Sequence, residues 1–374
     1  MTLTSPNLTF KSLSYSSNRE KISIGEDTIQ LVANKDGTYD VPEKKILVRV
    51  HSAALNPVDM ILYNSAHPIL SYFFGKQGIG RDYSGTIEKI GAVAGKKFDF
   101  KVGDEVCGLY RHPFGKGTCS EYILIDPAVD KAIGLKPKNL TMEEASSWPL
   151  VYGTAESMLG VRTAKNKPKF NKESKVLIIG ASTSVGRYLL QICSKKYHMR
   201  DIVAVCSPKS EQAVRELGAT SIIDYTKLSK DQGGIYPPAQ ELAVSGKFDM
   251  ILDCVGNSDF LDDTRMDHTL KSNGDYVTIC GDDKNEYGSN SMLNSMKNLD
   301  PLFRMIRKFF GWLPYSYQLV FTEPEKEWID SGIEGFEDGS LQVQIDSVYE
   351  FIDYEKAIER LNSNRATGKV VIKI

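Results

Sequence analysis

Apolar and polar positions divide this chain into two textures. The run KILVRVH at residues 45–51 alternates with the period of a half-buried strand and continues into SAALNPVD, where Asn56-Pro57 ends the strand and opens a helix with proline in its first turn. Before it, the first forty residues are polar with β-prone pieces such as 20–24, and Asn34-Lys35-Asp36-Gly37 marks a hairpin turn. After it, GRDYSG at 80–85 leads into a strand over 86–90, and KVGDEV at 101–106 is a turn followed by a strand. The chain to about residue 126 therefore reads as β-rich with glycine punctuation.

The texture changes at residues 135–139. A helix is expected to open at Thr141, where Glu143 and Glu144 in the first turn suit the helix dipole. Beyond it strands at 176–179, 202–205, 221–223, 248–254 and 276–279 alternate with helices from Gly186 and over 210–217. Such alternation predicts an α/β fold with a parallel, doubly wound sheet and a ligand at the strand C-termini. The end returns to β-type sequence, with a strand at 347–351, a helix over 354–361 and a last strand at 369–374. The expected domains are 1–139 joined by 324–374, and 140–323.

The second texture centres on residues 175–197, KVLIIGASTSVGRYLLQICSKKY. It is a strand, a tight turn and a helix, and the helix N-terminus offers unpaired N–H groups and partial positive charge to a pyrophosphate. The turn runs Gly180, Ala181, Ser182, Thr183, Ser184, Val185, Gly186, with Ser-Thr-Ser where a strict G-x-G-x-x-G places glycine, and a Cβ at Thr183 opposes close backbone approach. Read alone, the unit fits nucleotide binding and plain scaffolding equally well.

Composition narrows the classes. At 374 residues two domains are the default; 41% apolar and 25% charged residues describe a soluble globular chain, and a net charge of -2 gives no bulk attraction to nucleic acid. No run of about eighteen apolar residues is present and the start MTLTSPNLTF lacks a secretory h-region, so an intracellular protein is expected. The six cysteines show no C-x-x-C spacing and no zinc-like interval to the five histidines, which favours free thiols. Residues 302–313, LFRMIRKFFGWL, combine three cations with four aromatic rings. Apolar residues almost surround this segment, and Pro301 and Pro314 limit it, so a helix covering the sheet or the pocket is favoured over a basic helix lying on a membrane.

Several motifs then coincide in order: ALNPVD at 54–59, GRDYSG, KVGDEVCG at 101–108, the turn at 180–186, LGA at 217–219 before Asp224-Tyr225, FDMILDCVGN at 248–257, and RATGKVVIKI at 365–374. Together they resemble the zinc-free quinone oxidoreductase-like branch of the medium-chain dehydrogenase/reductase superfamily, and within it a fungal subgroup, over nearly the whole chain. The resemblance implies a GroES-like β-barrel catalytic domain built from both chain ends, a Rossmann domain between them, and NADPH-linked reduction of a quinone, enone or activated carbonyl in the interdomain cleft. It implies cofactor contact for Asn56 and Asp59, for Thr154, for Val255, Gly256 and Asn257, and for Gly281. It also implies a homodimer and a cytoplasmic site, with the fungal subgroup adding lipid droplets or mitochondria. The competing reading is a non-enzymatic adaptor on the same fold with a degenerate phosphate turn.

Two refinements come from the residues. Where a zinc alcohol dehydrogenase has Gly-His-Glu, this chain has Gly80-Arg81-Asp82, and no four-cysteine lobe follows, so no zinc is expected. After the second strand of the nucleotide unit no acid stands where NAD enzymes carry one; Ser207, Lys209 and Tyr225 instead offer donors to a 2′-phosphate, which favours NADPH over NADH. Tyr63 and Tyr152 are the candidate cleft hydroxyls for a proton donor, against a packing role for each.

Overall fold

The computed structural model describes residues 6–34, 38–110, 112, 114–163, 170–282, 288–289, 291 and 299–374. The turn expected at 34–37 has three of its four residues outside that set; the short antiparallel pair Val32–Ala33 and Tyr39–Asp40 flanks it.

Contacts divide the chain into two units, Met1–Leu150 with Glu286–Leu293 and Glu323–Ile374, and Val151–Asn285 with Asn294–Thr322. In the first, the strand Ile46–Leu55 is central. It pairs antiparallel with Asp82–Ile90, with Tyr122–Ile125 and with the C-terminal strand Lys369–Lys373, so both chain ends share one sheet. Alternation holds only over residues 48–51, where Arg49 is exposed between buried Val48 and Val50 and His51 is half-buried; Ile46 and Leu47 before them, and Ser52, Ala53, Ala54 and Leu55 after them, are all buried. Asn56 then turns the chain, and the helix Pro57–Ser65 starts with proline in its first turn, as the sequence predicts. Thr141 caps the helix Met142–Ser146 reciprocally: Glu144 N–H donates to Thr141 Oγ1 and Thr141 N–H to Glu144 Oε2.

The second unit holds a six-stranded sheet in the order Ser221–Asp224, Asp201–Cys206, Lys175–Ile179, Phe248–Asp253, Leu270–Thr278, Ser316–Leu319, with every pair parallel. The strands Lys175–Ile179 and Phe248–Asp253 are buried at every position, which explains their continuous apolar runs. The order reverses between these two strands, and that switch point is where such sheets take ligands. All six cysteines are free; five are buried and Cys280 is partly so.

The helix after the turn begins at Ser184, two residues before the expected Gly186, because Thr183 serves as its N-cap and its Oγ1 accepts the Gly186 N–H at 3.1 Å. The helix Asp300–Phe309 also departs from expectation. Its apolar residues do not surround it: Leu302, Phe303, Met305, Ile306 and Phe309 form one outward face, with Phe309 84% exposed, and none of its residues is buried. Its inward contact is ionic, with Arg304 Nε donating to Asp282 Oδ2 at 3.0 Å.

Candidate functional site: a dinucleotide turn and a buried ionic core

At the end of Lys175–Ile179, Gly180 has φ +76°, and a Cβ there would lie 2.5 Å from Val255 Cγ1. A Cβ on Gly186 would meet Gly180 O at 2.4 Å and Ala181 Cα at 2.7 Å. Glycine at both positions is therefore enforced by the turn's own closeness, as the tight turn and the close helix–strand packing of a dinucleotide fingerprint require, with the two glycines six residues apart here instead of five. Thr183 is not an obstruction left by a lost glycine; it is the cap. By taking the Gly186 N–H it leaves the N–H groups of Ser184 and Val185 at the helix N-terminus, where an anion binds best. Ser182, Thr183 and Ser184 are all half-buried. This cradle fits a dinucleotide pyrophosphate.

The second strand-end shows what sequence reasoning missed. Ser207 and Tyr225 follow Cys206 and Asp224, which are paired across neighbouring strands, so the structure brings these two candidates together. Lys209 lies two residues on in an exposed turn. The same pairing places an acid there after all, from the adjacent strand: Asp224, whose Oδ1 accepts the Thr226 N–H and hydroxyl, holding its carboxyl below the usual range. Asp224 has Lys227 at 3.5 Å and Glu211 has Arg215 at 2.9 Å, while no carboxylate among the described residues pairs with Lys209. The net local charge is thus the lysine's.

Val255, Gly256 and Asn257 are positioned by a residue the sequence reading passed over. Asp253 ends an entirely buried strand and accepts all three of their N–H groups, at 3.0, 3.0 and 2.7 Å. The available signal was an aspartate closing the apolar run Met250-Ile251-Leu252, two residues before Val-Gly-Asn. Gly281 has φ +78° and its N–H donates to Thr278 Oγ1. Thr154 Oγ1 lies 2.6 Å from Thr322 Oγ1. Tyr152 is buried and donates its hydroxyl proton to Glu156 Oε1 at 2.8 Å.

Asn56, Asp59 and Tyr63 belong to the first unit. Asp59 Oδ2 accepts the Asn56 N–H and Oδ1 the Gly80 N–H, and burial raises its carboxyl pKa against the pull of Arg81. The Asn56 amide donates to Asp82 Oδ2 at 2.9 Å and to Ala54 O, and its carbonyl accepts from Lys369 Nζ. Lys369 also reaches Asp82 Oδ2 at 3.0 Å, and Asp82 Oδ1 accepts the Leu150 N–H at 2.7 Å. Both Asn56 donors are thus committed inside the unit. Arg81 donates to the carbonyls of Gly78 and Gly80. Tyr63 donates its hydroxyl proton to the Glu20 carbonyl at 2.8 Å and packs edge-on against Tyr15. Among the described residues no group of three or more His, Cys, Asp or Glu side chains is arranged to hold a metal ion.

Comparison with known proteins agrees with this architecture. Residues 42–136 match the alcohol dehydrogenase GroES-like domain and residues 217–372 match the zinc-binding dehydrogenase family. Protein YIM1 of Saccharomyces cerevisiae strain S288c is 36% identical, with 98% of each chain covered, and Protein YIM1-2 of Lachancea thermotolerans is 37% identical over 88% of this chain and 90% of that protein. Among solved structures, the quinone oxidoreductase from Coxiella burnetii superposes with a TM-score of 0.73 at 19% identity, covering 98% of this chain and 100% of that one. The CurK enoyl reductase gives 0.70 at 18%, covering 98% and 99%. With a GroES-like domain, an all-parallel Rossmann sheet and full-length relatives above a third identity, the chain belongs to the medium-chain dehydrogenase/reductase superfamily, in the family of the YIM1 proteins.

Proposed function

We propose that this chain is an NADPH-dependent oxidoreductase that reduces a quinone, an enone or a related activated carbonyl without zinc. The observation that carries this reading is the turn at residues 180–186, where two glycines are enforced by contact and a threonine cap leaves helix N–H groups for a pyrophosphate. Bound NADPH supplies a hydride; the chain's own part is to hold the dinucleotide and keep water from competing. Ser182, Thr183, Ser184 and Val185 would face its pyrophosphate, residues 255–257 and Gly281 the strand-end side, and Ser207, Lys209 and Tyr225 its 2′-phosphate. Asp82 favours zinc independence: its carboxylate is already balanced by the Lys369 ammonium, and the preceding residue is Arg81, so a divalent cation would meet positive charge there. With the Tyr63 and Tyr152 protons committed to Glu20 and Glu156, protonation of the reduced product is assigned to water.

Lys209→Ala is expected to weaken NADPH binding by about tenfold or more, the worth of a charge-assisted hydrogen bond, and to leave NADH binding unchanged. Isothermal titration with both cofactors checks this; an equal loss for both removes Lys209 from the 2′-phosphate site, and no binding of either at millimolar concentration removes the functional reading. The adaptor reading requires that no quinone or enone in a panel be turned over with NADPH.

The helix Asp300–Phe309 favours a second, compatible role, peripheral contact with a lipid surface. A helix that turns its ionic side inward and Phe303, Phe309 and Phe310 outward, with Arg307 and Lys308 in its last turn and Trp312 following, has the polarity of an interfacial anchor. Replacing Phe309, Phe310 and Trp312 by serine is expected to abolish co-flotation with anionic vesicles, and unchanged flotation would rule this segment out as the contact.

A further inference from the structure

We propose that Asp253 is the positioning residue of the loop at 255–257: ionised, it clamps that loop against the dinucleotide turn, and protonated, it releases it. The assignment rests on the cofactor reading above and deepens it. Asp253 is fully buried, with no ion pair among the described residues, and its two oxygens accept three successive backbone N–H groups and the Tyr276 hydroxyl, the last at 2.7 Å. Those bonds fix Gly256 at φ +80° and hold Val255 where its Cγ1 blocks any side chain on Gly180. One carboxylate thus sets both the loop and its fit to the turn.

The release has a geometric basis in Tyr276. Its hydroxyl lies 2.7 Å from Asp253 Oδ2 and 2.8 Å from the Asn257 carbonyl, and it has one proton for the two acceptors. While Asp253 is ionised the charged acceptor takes that proton more strongly. When Asp253 gains a proton, it can donate to the Tyr276 oxygen, the phenol proton turns to the Asn257 carbonyl, and the three N–H groups face a neutral acid instead of an anion. The other titratable groups around Asp253 do not replace this exchange. Tyr317 stacks on Tyr276 from the strand Ser316–Leu319, its hydroxyl donating to Asp282, which Arg304 neutralises; Cys254 follows in sequence, its thiol pushed up by burial; on the other side the paired residue is Ile179.

Burial pushes the Asp253 carboxyl up to about 6, against the hydrogen bonds that pull it down. An acid whose folded-state pKa exceeds its unfolded value binds its proton more tightly when folded. Its ionisation therefore costs stability above pH 6, and that cost disappears as the pH falls from 6 to below the ordinary value of 3.8. The clamp has the opposite sign, because the ionised form holds the loop. Lowering the pH from 7.5 to 5 should thus raise the stability that Asp253 contributes while weakening NADPH binding, whereas a merely structural carboxylate would move both in one direction.

The experiment compares the full chain with Asp253→Asn, measuring NADPH affinity by titration and the melting temperature at pH 7.5 and pH 5. Titration of the NADPH 2′-phosphate is common to both proteins and cancels in the comparison. The variant is expected to bind about tenfold more weakly at pH 7.5, as loss of charge-assisted bonds requires, and the difference should close at pH 5. At the same time the wild-type melting temperature should rise relative to the variant's. Equal affinities at pH 7.5, or wild-type affinity and stability falling together, overturn the assignment while leaving NADPH binding itself intact. Failure of the wild type to bind NADPH at either pH overturns the functional reading and this assignment with it. Should Asp253→Asn not fold, amide exchange on the wild type decides: protection at Val255, Gly256 and Asn257, corrected for intrinsic rates, must drop between pH 7.5 and 5 while the strand Phe248–Asp253 keeps its own, and unchanged loop protection overturns the clamp.

Discussion

Replacing Lys369 by methionine is expected to destabilise the chain by about 3–5 kcal/mol, the cost of stripping a buried charge of its partner. Lys369 and Asp82 are 5% and 0% exposed at their side chains and 3.0 Å apart. With the ammonium gone, the Asp82 carboxylate keeps the Asn56 amide and the Leu150 N–H but no cation, and the Asn56 carbonyl loses a donor. Methionine restores most of the aliphatic packing, so the loss isolates the charge. The double variant Lys369→Met with Asp82→Asn should recover a large share of that loss, since it removes both charges together. Urea midpoints of the two variants measure this. A loss below about 1 kcal/mol for Lys369→Met would mean that water reaches the pair and that it behaves as a surface salt bridge.

That pair marks a limit of what sequence could show. Lys369 opens an apolar terminal strand and Asp82 sits in a motif read for its lack of zinc ligands; 286 residues lie between them in sequence, and they come together because the last strand and the strand Asp82–Ile90 both pair antiparallel with Ile46–Leu55. Local signals were legible where the physics is local. The break at Asn56-Pro57, the helix opening at Thr141 with Glu143 and Glu144 in its first turn, and the apolar runs of the parallel sheet all stand where the pattern puts them. Side-chain commitments were not. Asn56 reads as a residue free to meet a ligand, yet its amide is used by Asp82 and Ala54; Thr183 reads as a lost glycine, yet it is a cap; Asp224 reads only as a motif residue after a strand at 221–223, yet it ends that strand and lies beside Cys206. The segment at 302–313 was misjudged for a related reason. Its count of aromatic rings suggested apolarity all round, whereas at 100° per residue Leu302, Phe303, Met305, Ile306 and Phe309 fall on one side and Arg304 on the other.

Gly186→Ala is expected to cost about 1–3 kcal/mol of stability and to lower NADPH affinity by about a hundredfold, a larger binding loss than any cap or hydroxyl change in the same turn. The methyl group would lie 2.4 Å from Gly180 O, 2.7 Å from Ala181 Cα and 2.9 Å from Ala181 C. All three are backbone atoms of the turn, so no rotamer change relieves the overlap, and the turn must move away from the helix. That movement shifts the N–H groups of Ser184 and Val185, which the binding reading assigns to the pyrophosphate, and it loosens the Thr183 cap on residue 186. Gly25→Ala serves as the control, because a Cβ there meets nothing within 4 Å and its strand lies in the other unit. Melting temperature and NADPH titration on both variants separate strain from function. If Gly186→Ala loses stability as expected but binds NADPH as tightly as the parent, the close packing of this turn serves the sheet and helix alone, and the pyrophosphate is not held by the N–H groups of Ser184 and Val185.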